Sequence, residues 1–141
     1  MSTETGAVAA HVDAAFVAGV TAVVGAGFVH QDDAARLRYG TDALKRGQPA
    51  DLVVIPGTTA EVAAVARLCD QAGVPLVPRG AGTGYTGGAV PVRGGVVISL
   101  ERFARILSID PRNLLVVVQP GVISVTIASV PSEPTRSCVR S

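Results

Sequence analysis

Apolar residues in this chain fall into short blocks separated by glycine, proline and charged residues. The stretch from Ala7 to about Val24 is alanine-rich and stops at Gly25 and Gly27, which predicts a helix with a glycine exit. Gln31 to Arg38 predicts a second, short helix, because Asp32 and Asp33 put negative charge at the positive end of the helix dipole. Tyr39 to Ala50 contains Gly40, Gly47 and Pro49 and reads as a connecting loop. Asp51-Leu-Val-Val-Ile-Pro56 is a continuous apolar run between turn residues, the pattern of a strand buried on both faces of a parallel sheet. Thr58-Thr-Ala-Glu61 offers a capping box, and Val62, Val65, Leu68 and Cys69 then recur at helical spacing. Gly73 can take the left-handed position after the helix, and Pro75 stops its continuation. Leu76 to Pro78 reads as a second strand, so residues 51–78 predict a βαβ unit with two adjacent parallel strands.

Further on, Gly95-Val-Val-Ile-Ser-Leu100 predicts another strand. Ile106 to Ile109 and Leu114 to Gln119 flank Asp110-Pro-Arg-Asn113, where Pro111 suits a turn and Asn113 tolerates positive φ, so a β-hairpin is expected. From Ser124 the character changes to Ser, Thr, Pro and Arg, with one short strand expected at Val125 to Ile127. Three segments follow: an N-terminal helical segment with its loop (1–50), an α/β unit (51–123) and a divergent, loose tail (124–141).

Composition narrows the class. With 48% of 141 residues apolar, the chain has enough material for a core and is not globally disordered. A net charge of +1 gives no broad surface for nucleic acid. The longest apolar stretch, Phe16 to Val29, is shorter than the roughly 20 residues a bilayer requires, and no basic segment precedes it. No transmembrane segment or leader is therefore expected, and the expected location is cytoplasmic. Cys69 and Cys138 have neither metal-binding nor CxxC spacing; Cys69 falls on an apolar helical position and reads as a buried structural thiol. His11 and His30 read as surface or helix-end residues. Neither a catalytic nor a metal-binding residue is assigned.

The chemistry concentrates in Arg79-Gly-Ala-Gly-Thr-Gly-Tyr-Thr-Gly-Gly88. Glycine on this scale costs chain entropy, but it permits positive φ and removes Cβ atoms, so successive amides can converge on an anion. Thr83 and Thr86 add hydroxyl donors, and no acidic side chain lies between Asp70 and Glu101. Gly82-Thr-Gly-Tyr-Thr-Gly87 matches G-x-G-x-x-G, yet a Rossmann site needs a helix directly after it, and Pro91, Gly94 and Gly95 stand against one. A P-loop needs a lysine that this loop lacks. There remain a loop between strands whose amides hold a pyrophosphate, and a surface linker without a ligand.

Pro78-Arg-Gly-Ala-Gly-Thr-Gly-Tyr-Thr-Gly-Gly-Ala89 resembles the pyrophosphate loop of the FAD-linked oxidases of the vanillyl-alcohol oxidase and p-cresol methylhydroxylase fold. The nearest branch is that of the glycolate oxidase D subunit and the flavin-type D-lactate dehydrogenases. Tyr39-Gly-Thr-Asp42, Asp51 to Pro56, Thr59 to Ala72, Ile109-Asp-Pro111 and Gln119-Pro-Gly-Val122 follow in the family's order, so the resemblance covers roughly residues 20–122. It implies an α/β fold, namely the first subdomain of a p-cresol-methylhydroxylase-type FAD-binding domain. That subdomain has a small parallel or mixed sheet, flanking helices and a C-terminal β-hairpin. It further implies FAD as cofactor, with the pyrophosphate on Pro78, Arg79, Gly80, Ala81, Gly82, Thr83, Gly84, Tyr85, Thr86, Gly87 and Gly88. Pro56 and the Pro120-Gly121 turn would lie near the cofactor.

The implied activity is oxidation of a small 2-hydroxy acid, glycolate or D-lactate, to a 2-oxo acid, with partner subunits of an oxidase complex in the full-length relative. After Val122 the sequence departs from the family. The expectation is a truncated or frame-shifted product lacking the second FAD subdomain and the substrate cap, and inactive by itself. Two further readings stay open: a non-catalytic remnant that acts as an interaction module, and a relative that reduces an enolpyruvyl nucleotide sugar on the same fold.

Overall fold

The computed structural model describes residues 12–123. The strand expected at Val125 to Ile127, the start of the first helix at Ala7, His11 and Cys138 lie outside these residues. The first helix, α1 (Ala14–Val24), begins where the Asp13 carboxylate accepts the Phe16 amide at 2.7 Å. Val12 and Asp13 are therefore not helical, and Gly25 ends the helix at φ +87 as expected. A single 3-10 turn, Ala26–Phe28, leads into the two-residue strand β1 (Val29–His30). So short a strand leaves no periodicity in the sequence, and none was expected there. Helix α2 (Asp33–Gly40) starts two residues later than expected and runs into the supposed loop, because Asp32 is the N-cap, accepting from the Ala35 amide at 2.9 Å.

Strand β2 (Leu52–Val54) is buried along its whole length, and helix α3 (Thr59–Ala72) follows. The Thr58 hydroxyl accepts the Glu61 amide, as the capping box requires. Glu61 reaches back to the Gly57 amide at 2.7 Å, one residue beyond the expected Thr58 amide. Gly73 closes the helix in the left-handed region at φ +64. Strands β3 (Leu76–Arg79) and β4 (Val96–Ser99) complete a four-stranded sheet in the order β1-β2-β4-β3.

That order corrects the βαβ expectation. β2 and β3 are parallel in direction but not adjacent, because β4 lies between them and pairs with both. The physical reason lies in the side chains. β4 is buried at all four positions and belongs in the centre, whereas β3 contains Pro78, which has no amide to donate and suits an edge.

The two sheet faces follow the period-two alternation. Leu52, Val54, Val96 and Ile98 meet Val20 and Val24 of α1 and Val65 and Cys69 of α3. Val53 and Val97 face the other way, with Ala50, Ile55, Tyr39 and Val77. Cys69 is the buried structural thiol that was expected, and desolvation pushes its pKa up to about 11. Among the described residues no helix is long and apolar enough to cross a membrane.

The hairpin forms from β5 (Ile106–Asp110) and β6 (Leu115–Val118), paired antiparallel. Its turn is tied by the Asp110 carboxylate, which accepts from the amides of Arg112 and Asn113 and from the Asn113 side chain. The positive φ falls on Leu114 (+53) and not on Asn113 as expected. Asn113 is occupied with Asp110, so the chain turns one residue later. Leu114 is 92% exposed and gains no burial in return for this conformation. Leu114→Asn is therefore expected to raise the unfolding free energy by about 0.5–1 kcal/mol, since Asn enters the left-handed region at lower cost. Urea denaturation checks this; an unchanged or lowered midpoint would show that Leu114 is not strained.

Candidate functional site

Because β2, β4 and β3 run parallel, their carboxyl ends share one edge of the sheet. Val54, Ile98 and Pro78 stand in register, so the chain leaves at Pro56, Leu100 and Gly80 along one line. Connections that emerge together at such an edge enclose a crevice, which is where open α/β sheets bind ligands.

The glycine-rich loop leaves β3 at this edge. Gly82 (φ +69) and Gly87 (φ +76) adopt the left-handed backbone; Gly84 does not. No backbone amide from Gly80 to Ala89 donates to another described residue, and the first that does is Val90, to the Gly87 carbonyl at 3.0 Å. A Cβ placed on Gly84, Gly87 or Gly88 would meet nothing within 4 Å. The loop thus offers a run of donors without partners among the described residues, with open space beside Gly84, Gly87 and Gly88. Such a surface fits an anion of pyrophosphate type.

Two clefts adjoin the loop. The first, about 530 Å³, brings together Arg79, Gly80 and Ala81 with Gly121, Val122 and Tyr39. The second, about 570 Å³, is lined by Tyr85, Thr86 and Gly87 facing Asp42, Arg46 and Gln48. Gly82, Thr83, Gly84 and Gly88 belong to the loop but line neither cleft. The Pro120 carbonyl lies against the loop's first residue, 3.3 Å from where a Gly80 Cβ would stand. Gly121 is pinned by its amide, which donates to the Phe103 carbonyl at 2.9 Å. Pro78 is an exposed strand residue. Pro56 is buried at the end of β2 and lines neither cleft, so it supports the edge and does not face it.

Four residues at this edge, Tyr39, Ser99, Glu101 and Arg102, were assigned no part in the site from the sequence. The Tyr39 hydroxyl donates to Glu101 Oε2 at 2.9 Å, and the buried Ser99 hydroxyl donates to the same oxygen at 3.2 Å. This links α2 to the end of β4 across the mouth of the first cleft. Burial, and then the hydrogen bond to Glu101, hold the Tyr39 pKa above its ordinary value. Arg102 donates to the Ile55 carbonyl at 3.1 Å and stacks 3.7 Å from the Phe28 ring centroid. Tyr39 stood in a segment of the family resemblance, but its partner is 62 residues away, and no local pattern joins them.

Comparison with known proteins adds what geometry does not. A family model described as FAD binding domain matches residues 50–129. Glycolate oxidase subunit GlcD of Bacillus subtilis is 42% identical over 93 residues, which is 65% of this chain and 20% of that protein. The probable mitochondrial D-lactate dehydrogenase of Danio rerio is 35% identical over 107 residues, 75% of this chain and 22% of that one. Among solved structures, an alkyldihydroxyacetonephosphate synthase superposes with a TM-score of 0.68 at 25% identity, over 80% of this chain and 25% of its own. A p-cresol methylhydroxylase with substrate bound gives 0.65 at 24% identity, over 77% and 22%. These two likenesses are of fold, and they bear out the expected fold class. The chain spans about a fifth of the length of the curated relatives it matches.

The Tyr39 bridge has a testable pH signature. The unfolded phenol titrates near 10.0, and the folded one above it. The folded state therefore holds this proton more tightly. The resulting stability is complete below pH 10.0 and is lost as pH rises through the folded value. Wild type should lose stability above about pH 10 more steeply than Tyr39→Phe, with Cys69 titrating equally in both. Near neutrality the substitution should cost about 0.5 kcal/mol, the low end for a hydrogen bond because the pair is partly exposed. Urea titrations across this range check it, and parallel curves would remove the bridge.

Proposed function

The chain belongs to the FAD-binding domain family, and from that premise we propose that its backbone from Arg79 to Gly88 takes the pyrophosphate of FAD. The observation that carries this reading is the run of amides from Gly80 to Ala89 without a partner among the described residues, at the carboxyl edge of the sheet. Residues 51–123 form the binding unit, and Tyr39 and Thr41 of the preceding segment support it. The Pro120-Gly121 turn walls the loop's start, and Pro56 holds the edge from beneath.

Bound FAD supplies a two-electron acceptor for a substrate C–H bond. The chain's own residues bind and orient. The loop amides neutralise phosphate charge, Thr83 and Thr86 add hydroxyl donors, and Glu101 keeps a carboxylate at the mouth of the first cleft. The relatives' names carry the reading further. We assign the full-length protein to oxidation of a small 2-hydroxy acid to a 2-oxo acid, working with partner subunits as the GlcD subunit name implies. In such a protein this segment holds cofactor, and the groups that grip the substrate carboxylate come from elsewhere.

Gly84→Val tests the site without straining the fold, because Gly84 has ordinary φ and open space around it. Its FAD affinity should fall by about tenfold or more, while far-UV circular dichroism and the thermal midpoint stay at wild-type values. ADP should compete with FAD, and riboflavin, which lacks the pyrophosphate, should not. Titration calorimetry showing wild-type affinity in Gly84→Val would move the phosphate site elsewhere.

A further inference from the structure

Arg79 opens the glycine loop, and by charge its side chain would be sent to a phosphate. The structure turns it the other way. Its guanidinium Nη1 donates to the carbonyls of Tyr39 at 3.1 Å and Thr41 at 2.6 Å. Its Cζ stands 5.9 Å from the Tyr39 ring centroid. These carbonyls lie at the C-terminal end of α2, where the last C=O groups lack helical partners and carry partial negative charge. The Arg79 backbone is held as well, since its carbonyl accepts the Leu100 amide at 2.9 Å.

Gly82 lies against this same guanidinium. A Cβ on Gly82 would overlap Arg79 Nη2 and Cζ, and Gly82 sits at φ +69. An arginine head usually swings away from such a contact. This one is held by two carbonyls and a ring, so the loop has to pass around it.

We infer that Arg79 is a positioning residue for the FAD pyrophosphate. Its guanidinium, anchored on the end of α2, is the surface on which Gly82 rests and which sets the path of the loop; the phosphate itself meets backbone. The inference rests on the reading of the loop as the pyrophosphate site. It makes affinity depend on the flat guanidinium, whose Nη1 is held by two carbonyls while Nη2 and Cζ face Gly82, and not on its charge. Lysine keeps the charge but is a point donor on a flexible stem, and it has no planar face to offer Gly82.

The experiment compares Arg79→Lys, Arg79→Gln and Gly84→Val with wild type by FAD titration at low and high salt, together with amide nitrogen–proton spectra. Both Arg79 variants should lose about tenfold in FAD affinity, to a similar extent, with the wild-type salt dependence retained. Their loop amides from Gly80 to Gly88 should shift before FAD is added, while those of β2 and α3 stay in place. Lysine restoring wild-type affinity, with glutamine flattening the salt dependence, would make the side chain a direct phosphate ligand and overturn the inference. So would wild-type binding by both variants, provided Gly84→Val still binds weakly. Wild-type binding by Gly84→Val would instead overturn the reading of the site, and this inference with it. Should an Arg79 variant fail to fold, the wild-type spectrum decides. On adding FAD the loop amides should move and the Arg79 guanidinium resonances should not; a guanidinium shift as large as the loop's would overturn the inference.

Discussion

The pairing of one central strand with two parallel neighbours is the constraint on which the rest of this structure depends. β4 holds β2 on one side and β3 on the other, in a register that aligns Val54, Ile98 and Pro78. Each side of β4 is also covered, by α1 and α3 through Val96 and Ile98 and by the Tyr39 side through Val97. A strand enclosed in this way cannot slip by one residue without turning its core side chains to the wrong face. The ends of all three strands are therefore fixed together, and with them the points at which the loops begin.

The loop is built on a different principle from the sheet that carries it. Among the described residues its amides from Gly80 to Ala89 have no partners, and several of its glycines have no neighbours at the Cβ position. Such a segment contributes little to stability and costs entropy to order. Order is imposed from its two ends: β3 and the anchored Arg79 head at one, the Val90–Gly87 hydrogen bond at the other. The middle is left as bare backbone. What the loop presents is then a geometry prepared by the surrounding residues, with its one arginine head turned onto the end of α2.

Local features were legible in the sequence where local physics decides them. Thr58 and Gly73 bracket α3 as their chemistry requires, the glycine loop takes positive φ at Gly82 and Gly87, and Cys69 is buried. Spatial order was not legible. The βαβ pattern treats strands that follow in sequence as neighbours, yet β4 displaces β3 to the outside; Pro78 and the Val-Val-Ile run of β4 carried that signal, unused. The candidate site divides in the same way. The loop itself stands out by composition, whereas Arg79's partners lie 40 and 38 residues away, and Glu101 meets Tyr39 across 62. Interactions at that separation leave no period and no spacing to read. The hairpin turn failed on a smaller scale, since Asn113 had two possible tasks and the structure gave it the hydrogen bonds, leaving the unusual backbone to Leu114.

The strand order also bears on how the chain acquires its fold. β2 and β3 are separated by α3 alone, yet they make no pairing with each other and meet only through a strand that arrives later in the chain. A ribosome-bound chain that has emerged no further than the glycine loop can pair β1 with β2, yet it has nothing to join β3 to them. Closing the sheet waits for Val96–Ser99, and the loop is threaded by then between two already committed segments. Non-local pairing of this kind slows folding, because loop-closure entropy precedes any gain from contact. Protection of the β3 amides against hydrogen exchange should accordingly appear only in nascent chains extending beyond Ser99, and the start of the glycine loop is fixed in the same step as the edge of the sheet.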